Sequence, residues 1–367
     1  MHDAQACGRA KFAGLFRQRP MKPRSSSKRG SSKTRGRDGI EVTLPFKLPY
    51  DWQTIIRFYG SHSIPGIERV TANCFARIFR IDNTIGTVRV RANGGTRRLK
   101  VRIAPEDPAI VSAATSRVRK MFDLDCDPML VTAQLSIIPL LAALCRRFPG
   151  LRVARGWDPF ETAVCAILGQ LVSSQQRANL IGQLVSNYGE EITDPSSGNS
   201  SRLFPSAETL ASSDLSAVRT TEARREAIRD FSRRVLTGAI SLAPAQDPAV
   251  FRKTLLETKG LGPWSAEYIS LRAIGDTDAF PKTDLILKRV LDLHPDLDLA
   301  RIKPWRSYAA IYLWKEFAQT LSRERKGDSA GTQKTPGREH RYYRNAAATG
   351  VSAVNVSRGS KSEDRRK

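Results

Sequence analysis

The sequence predicts a mainly α protein with a smaller α+β domain on its N-terminal side, and three observations carry that expectation. Alternating apolar and basic residues flank Asn93-Gly94, apolar residues recur at helical spacing from Asp107 onward, and a Gly-x-Gly turn at Gly260 to Gly262 separates two amphipathic segments. A chain of 367 residues has room for two such domains. We expect an antiparallel-sheet α+β domain over 44–130 and a helical domain containing a helix-hairpin-helix over 131–322, between basic disordered tails at 1–43 and 323–367.

Taken in order, the first tail is rich in Lys, Arg, Ser and Gly, with too little apolar surface to offset the entropy of ordering. Order is expected from Leu44, where Phe46, Tyr50 and Trp52 bring aromatic residues into a chain that had almost none. Val88 to Ala92 and Leu99 to Ile103 alternate apolar with basic side chains, and Asn93-Gly94 between them predicts a hairpin. Its outer face would carry Arg89, Arg91, Arg98, Lys100 and Arg102; the plain reading, preferred here, is the wet side of a sheet. Helix faces are then predicted by Val111, Val118 and Met121, by Leu140, Leu141 and Leu144, and by a segment opening on Asp158-Pro159, a cap followed by the residue best suited to a first helical position. Gly169 to Ser174 interrupts that pattern before another helix, and further helices are expected at about 206–212, 222–237 and 247–258.

Lys and Arg number 60 against 36 Asp and Glu, a net charge of +24 that points to an anionic partner. Most of the excess lies in the tails, so charge alone supports an ordered DNA-binding face only weakly. Cys7, Cys74, Cys126, Cys145 and Cys165 are odd in number and form no CxxC pair, which argues against a zinc site, a cluster or a disulfide framework and for a reducing compartment. No metal and no cofactor is expected. The longest apolar run, Leu135 to Leu144, is a buried-helix length, so we expect no membrane span.

The most informative stretch begins at Leu255. A helix ends near Lys259, Gly260 and Gly262 allow a tight turn, and Pro263 opens a second helix. Amide groups at such a turn can hold a phosphate without reading sequence, although a purely structural corner is commoner. Asp284 follows at the start of the apolar helix Leu285 to Leu291. As a cap it would be ordinary, and Thr283 could fill that role too; as a fixed negative charge, kept ionised by the helix dipole, it could stabilise an oxocarbenium-like sugar.

Together, Gly260 to Tyr268, Asp278-Ala279-Phe280-Pro281, Asp284, Lys303 to Ala309 and Trp314 resemble the DNA-3-methyladenine glycosylase II family of the helix-hairpin-helix superfamily. Asp158 to Glu161 and Ala166 to Ser173 match as well, and the resemblance covers roughly 48–317. It implies a glycosylase acting on double-stranded DNA with alkylated bases, in which Asp284 is catalytic and Trp264, Tyr268 and Trp314 line the flipped-base pocket. Aromatic faces attract a cationic base by about 0.5–2 kcal/mol per contact; for any one of these rings, core packing is the default. The resemblance further implies that Leu171 intercalates, and that Lys259, Gly260, Leu261, Gly262 and Lys282 meet the DNA backbone. Strand-cutting members carry a lysine where Trp264 stands here, so a monofunctional enzyme is expected. The rivals are a noncatalytic helix-hairpin-helix DNA-binding protein and an oxidised-base glycosylase with lyase activity. A monomer, cytoplasmic and nucleoid-associated, completes the expectation.

Overall fold

The computed structural model describes residues 39–243 and 246–328, and both expected tails lie largely outside them. Five antiparallel strands come first: β1 (Ile40–Pro45), β2 (Glu68–Thr71), β3 (Cys74–Ile81), β4 (Thr84–Ala92) and β5 (Arg98–Ala104), in the spatial order β1-β5-β4-β3-β2. Two helices, α1 (Trp52–His62) and α2 (Pro108–Met121), contribute to the same core. One sheet face packs against them because Val88, Val90, Leu99, Val101 and Ile103 alternate inward and are buried, while Arg89, Arg91, Lys100 and Arg102 stay exposed. The β4–β5 hairpin is as expected, but its turn is wider than a two-residue Asn-Gly loop. Thr96 N–H bonds to the Asn93 carbonyl at 2.9 Å and Gly95 rather than Gly94 takes the positive φ, +73°.

The remainder is helical: α3 (Pro128–Leu135), α4 (Pro139–Arg147), α5 (Pro159–Leu168), α6 (Ser174–Tyr188), α7 (Ala207–Ser212), α8 (Glu222–Leu236), α9 (Pro248–Leu256), α10 (Pro263–Ile269), α11 (Leu285–Leu293) and α12 (Arg306–Asp328). A small ribbon, β6 (Glu191–Thr193) with β7 (Ser200–Arg202), sits between α6 and α7. Four of the helix starts use one device, an Asp followed by Pro. Asp107, Asp127, Asp158 and Asp247 each accept a backbone N–H of their own first turn, and the Pro supplies a position that needs no donor.

The sheet and the helices enclose separate large apolar clusters. Between them run buried polar ties. Arg77 on β3, its side chain 1% exposed, reaches Glu68 at 2.8 Å and Glu161 of α5 at 2.9 Å, and the Tyr308 hydroxyl on α12 donates to Asp123 at 2.7 Å. The described residues belong to one compact unit.

Candidate active site

The turn between α9 and α10 requires glycine at Gly260 for two reasons. Its φ is +82°, and a Cβ there would come within 3.1 Å of the Ala227 Cβ on α8. Gly262 caps α10 without any side-chain bond, so no side chain covers the N–H groups opening that helix. Lys259, Gly260 and Gly262 are exposed. Leu261 behaves differently from the expectation: its side chain is buried in the helical core and its N–H bonds to the Thr258 carbonyl at 3.1 Å, so it offers a ligand neither. Lys282 is exposed two positions before the acid.

Asp284 caps α11, and Thr283 does not. One carboxylate oxygen accepts from Ile286 N at 3.0 Å and Leu287 N at 3.2 Å, as a cap does, and from the Trp314 indole Nε1 at 3.0 Å. The other accepts from the Trp264 indole Nε1 at 3.2 Å. The sequence predicts a carboxylate at a helix start, kept ionised by the helix dipole; the structure seals it from solvent, with Asp284 0% exposed. Burial raises its pKa above the ordinary carboxylate value, and the two indole and two backbone donors pull the other way.

Trp264 and Tyr268, one helical turn apart on α10, stack with ring centroids 4.9 Å apart, and Tyr268 meets Trp314 edge-on at 6.5 Å. The three expected pocket rings are therefore together, and around Asp284. A cavity opens on the Trp264 and Tyr268 side, walled also by Phe58, His62, Gly169 and Arg272; Asp284 and Trp314 are not among its lining residues. After α10 the helix widens into a π turn, Ser270–Ile274, which ends at Gly275 with φ +75°. Such widenings recur at functional sites. Here it brings Arg272 onto the face that carries Trp264 and Tyr268.

Leu171 stands between α5 and α6, 43% exposed and with φ +56°, a strained backbone for a branched side chain. Its loop is tied to the hairpin. The Gln170 amide donates to Ser265 Oγ at 2.7 Å and to the Gly260 carbonyl at 3.3 Å, while Arg224 of α8 donates to the Gln170 carbonyl at 2.6 Å. The segment before Asp284 is fixed from α12: Arg306 grips Asp278 through two bonds of 2.7 Å, and Ser307 donates to the carbonyls of Asp276 and Ala279. The sequence reading assigned no role to Gln170, Arg272, Arg306 or Ser307. Gln170 adjoins Leu171, and Arg272 is four residues past Tyr268, so neighbourhood and spacing were the available signals.

Among the described residues no group of His, Cys, Asp and Glu could hold a metal ion, and no helix is long and apolar enough to cross a membrane. Residues 41–158 match the family model of the AlkA N-terminal domain. A Mycobacterium tuberculosis protein named probable bifunctional transcriptional activator/DNA repair enzyme AlkA is 31% identical over 78% of this chain; the chain spans 59% of that relative's length. The DNA-3-methyladenine glycosylase of Bacillus subtilis is 30% identical over 54% of this chain and 70% of its own. The structure of a 3-methyladenine DNA-glycosylase from Archaeoglobus fulgidus superposes with a TM-score of 0.62, covering 74% of this chain and 96% of its own at 19% identity, which establishes a shared fold. With the sheet, the hairpin and this degree of likeness in hand, the chain belongs to the DNA-3-methyladenine glycosylase family.

Proposed function

We propose that this chain is a monofunctional DNA glycosylase that takes alkylated bases of the 3-methyladenine and 7-methylguanine type out of duplex DNA and hydrolyses the N-glycosidic bond, leaving an abasic site. In this reading the helical domain, 131–322, carries the chemistry, the α+β domain, 44–130, supports it, and the protein works as a cytoplasmic, nucleoid-associated monomer. The observation that carries it is Asp284, a carboxylate at the start of α11 joined to two indoles of a ring cluster beside a cavity.

The amides of Gly260 and Gly262, with Lys259 and Lys282, hold backbone phosphates without reading sequence. Leu171 fills the gap left in the stack. As the bond to the base breaks, its electron pair leaves with the base nitrogen and positive charge develops on the sugar. Asp284 stabilises that charge. Water adds at the sugar carbon and releases its proton to solvent, because a base made cationic by alkylation leaves as a neutral molecule once it takes the bonding pair. Because Asp284 is 0% exposed, its surroundings must rearrange before a sugar reaches it. Trp264 offers no amine for a Schiff base, so the strand stays intact.

The sealed state of Asp284 favours a second reading, a noncatalytic DNA-binding protein that retains the hairpin. Incubation with alkylated duplex separates the two. A monofunctional enzyme releases free base and gives strand breaks only after hot alkali, whereas a binder retains DNA and releases nothing. The Asp284→Asn variant is expected to lose base release by at least about 100-fold while binding DNA as well or more tightly, since one negative charge near phosphate is gone. Equal turnover by the variant would remove Asp284 from the mechanism.

A further inference from the structure

The outer face of the sheet concentrates charge that the site around Asp284 does not use. Arg89 and Arg91 on β4 and Lys100 and Arg102 on β5 point outward and are exposed. Register sets them in facing pairs, Arg89 across from Arg102 and Arg91 across from Lys100. Like charges directly opposite one another weaken an antiparallel pair, so the sheet holds this arrangement at some cost, and an anion laid over it relieves that cost.

The face is also walled. Ile192 and Leu203 of the β6–β7 segment bury themselves against the outward Ile78 of β3, and Arg80 grips Glu190 through bonds of 2.5 and 2.6 Å. Between the ribbon's loop, 194–198, and the basic strands lies a trough of about 820 Å³. Four cationic side chains line it against two carboxylates, Glu41 and Asp194. Glu41 reaches Lys100 at 3.3 Å, but both are about half exposed and water screens the pair. Asp194 turns to its own loop: one oxygen accepts from the N–H and the hydroxyl of Ser196, each at 2.8 Å, and the other from the Ser197 hydroxyl at 2.7 Å. The floor of the trough therefore keeps an excess of positive charge.

The alternation of the strands places this trough on the other side of the sheet from the cavity beside Trp264. Val88, Val90 and Val101 face inward to the cluster shared with α1 and α2, and Arg77, in step with the inward Phe75 and Phe79, lines that cavity. Three of the four cations are arginines, whose planar forks match phosphate oxygens and whose charge is permanent. We propose that the trough is a second DNA-binding site, which takes the phosphodiester backbone of a duplex segment other than the one held by the Gly260 turn. One protein molecule then bridges two segments and can pass between them without first leaving DNA. The contact is electrostatic and reads no sequence.

The test uses the full chain. Undamaged biotinylated duplex on beads is mixed with protein and with a second, fluorescent undamaged duplex at about 50 mM salt, and capture of the second duplex is measured as salt is raised. The wild type is expected to capture it, with a steep loss as salt rises. Arg89→Gln combined with Lys100→Gln removes one charge from each facing pair. This variant is expected to melt no lower than the wild type, to release base from a short lesion-bearing duplex within about twofold of the wild-type rate, and to capture the second duplex at least about fivefold less. Arg89→Lys combined with Lys100→Arg keeps the charge and is expected to keep the capture. Both basic tails are present throughout, so equal capture by the Gln variant assigns bridging to them or to contacts between protein molecules and overturns the proposal, as does absence of capture by the wild type. A wild type that captures duplex but releases no base overturns the glycosylase reading and leaves the bridging site standing.

Discussion

Asp284 differs from the other helix-capping aspartates by its two indole donors, and that difference sets what its replacement does. In Asp284→Asn one side-chain position becomes an NH2 group, which can no longer accept from whichever indole it faces. A donor against a donor in a site sealed from water costs about 1–3 kcal/mol, so the variant is expected to melt lower as well as to lose activity. Glu161 makes a different prediction. Burial pushes its carboxyl from the ordinary 4.5 up to about 7, with the Arg77 guanidinium opposing the rise. The folded protein then keeps a proton that the unfolded chain gives up near 4.5, so unfolding releases a proton between those values and stability falls as pH rises from 4.5 to about 7. Urea melts across that range are expected to show a shallower decline in Glu161→Gln than in the wild type, the variant being itself less stable because Arg77 has one partner fewer; an unchanged slope would exclude Glu161 as a source. At this scale Asp284, Trp264, Tyr268 and Trp314 were legible from spacing and resemblance. Arg272 was assigned no role although it stands four residues past Tyr268, and the π turn that carries it is announced by no residue pattern.

Among the elements, the hairpin turn is the one whose geometry admits least change. Gly260→Ala places a methyl group at a positive φ and against Ala227, and is expected to cost about 1–2 kcal/mol and to weaken binding to undamaged and damaged duplex alike, read by melting and by fluorescence anisotropy. Unaltered DNA affinity in a correctly folded Gly260→Ala would detach the turn from phosphate binding. Helix starts were open to inspection because Asp-Pro announces them, as at Asp158-Pro159. Strands were harder. β4 and β5 alternate clearly, whereas β3 is buried along nearly its whole length and β1 is mostly exposed, so neither shows the period that betrays a half-buried strand. The Asn93-Gly94 pair gave the right hairpin with the wrong turn, since hydrogen bonds across the longer loop moved the positive φ to Gly95.

On the scale of the whole molecule, the two apolar clusters do not amount to two independent bodies. Arg77 cannot lose Glu161 without leaving a buried charge short of a partner, and Tyr308 ties α12 to Asp123 in the same way. Sheet and helices are therefore expected to unfold together: circular dichroism at far-ultraviolet wavelengths and tryptophan fluorescence should trace one coincident transition, with Trp157 in the sheet cluster and Trp264 in the helical one reporting jointly. Two separated transitions would mean that these ties contribute little. The enclosure of the acid also bears on how such a protein would travel along a chromosome, where intact nucleotides outnumber lesions by many orders of magnitude and some unstack by chance. On the proposed mechanism, while both tryptophans stay latched to the carboxylate a healthy base that strays outward finds no reactive partner waiting.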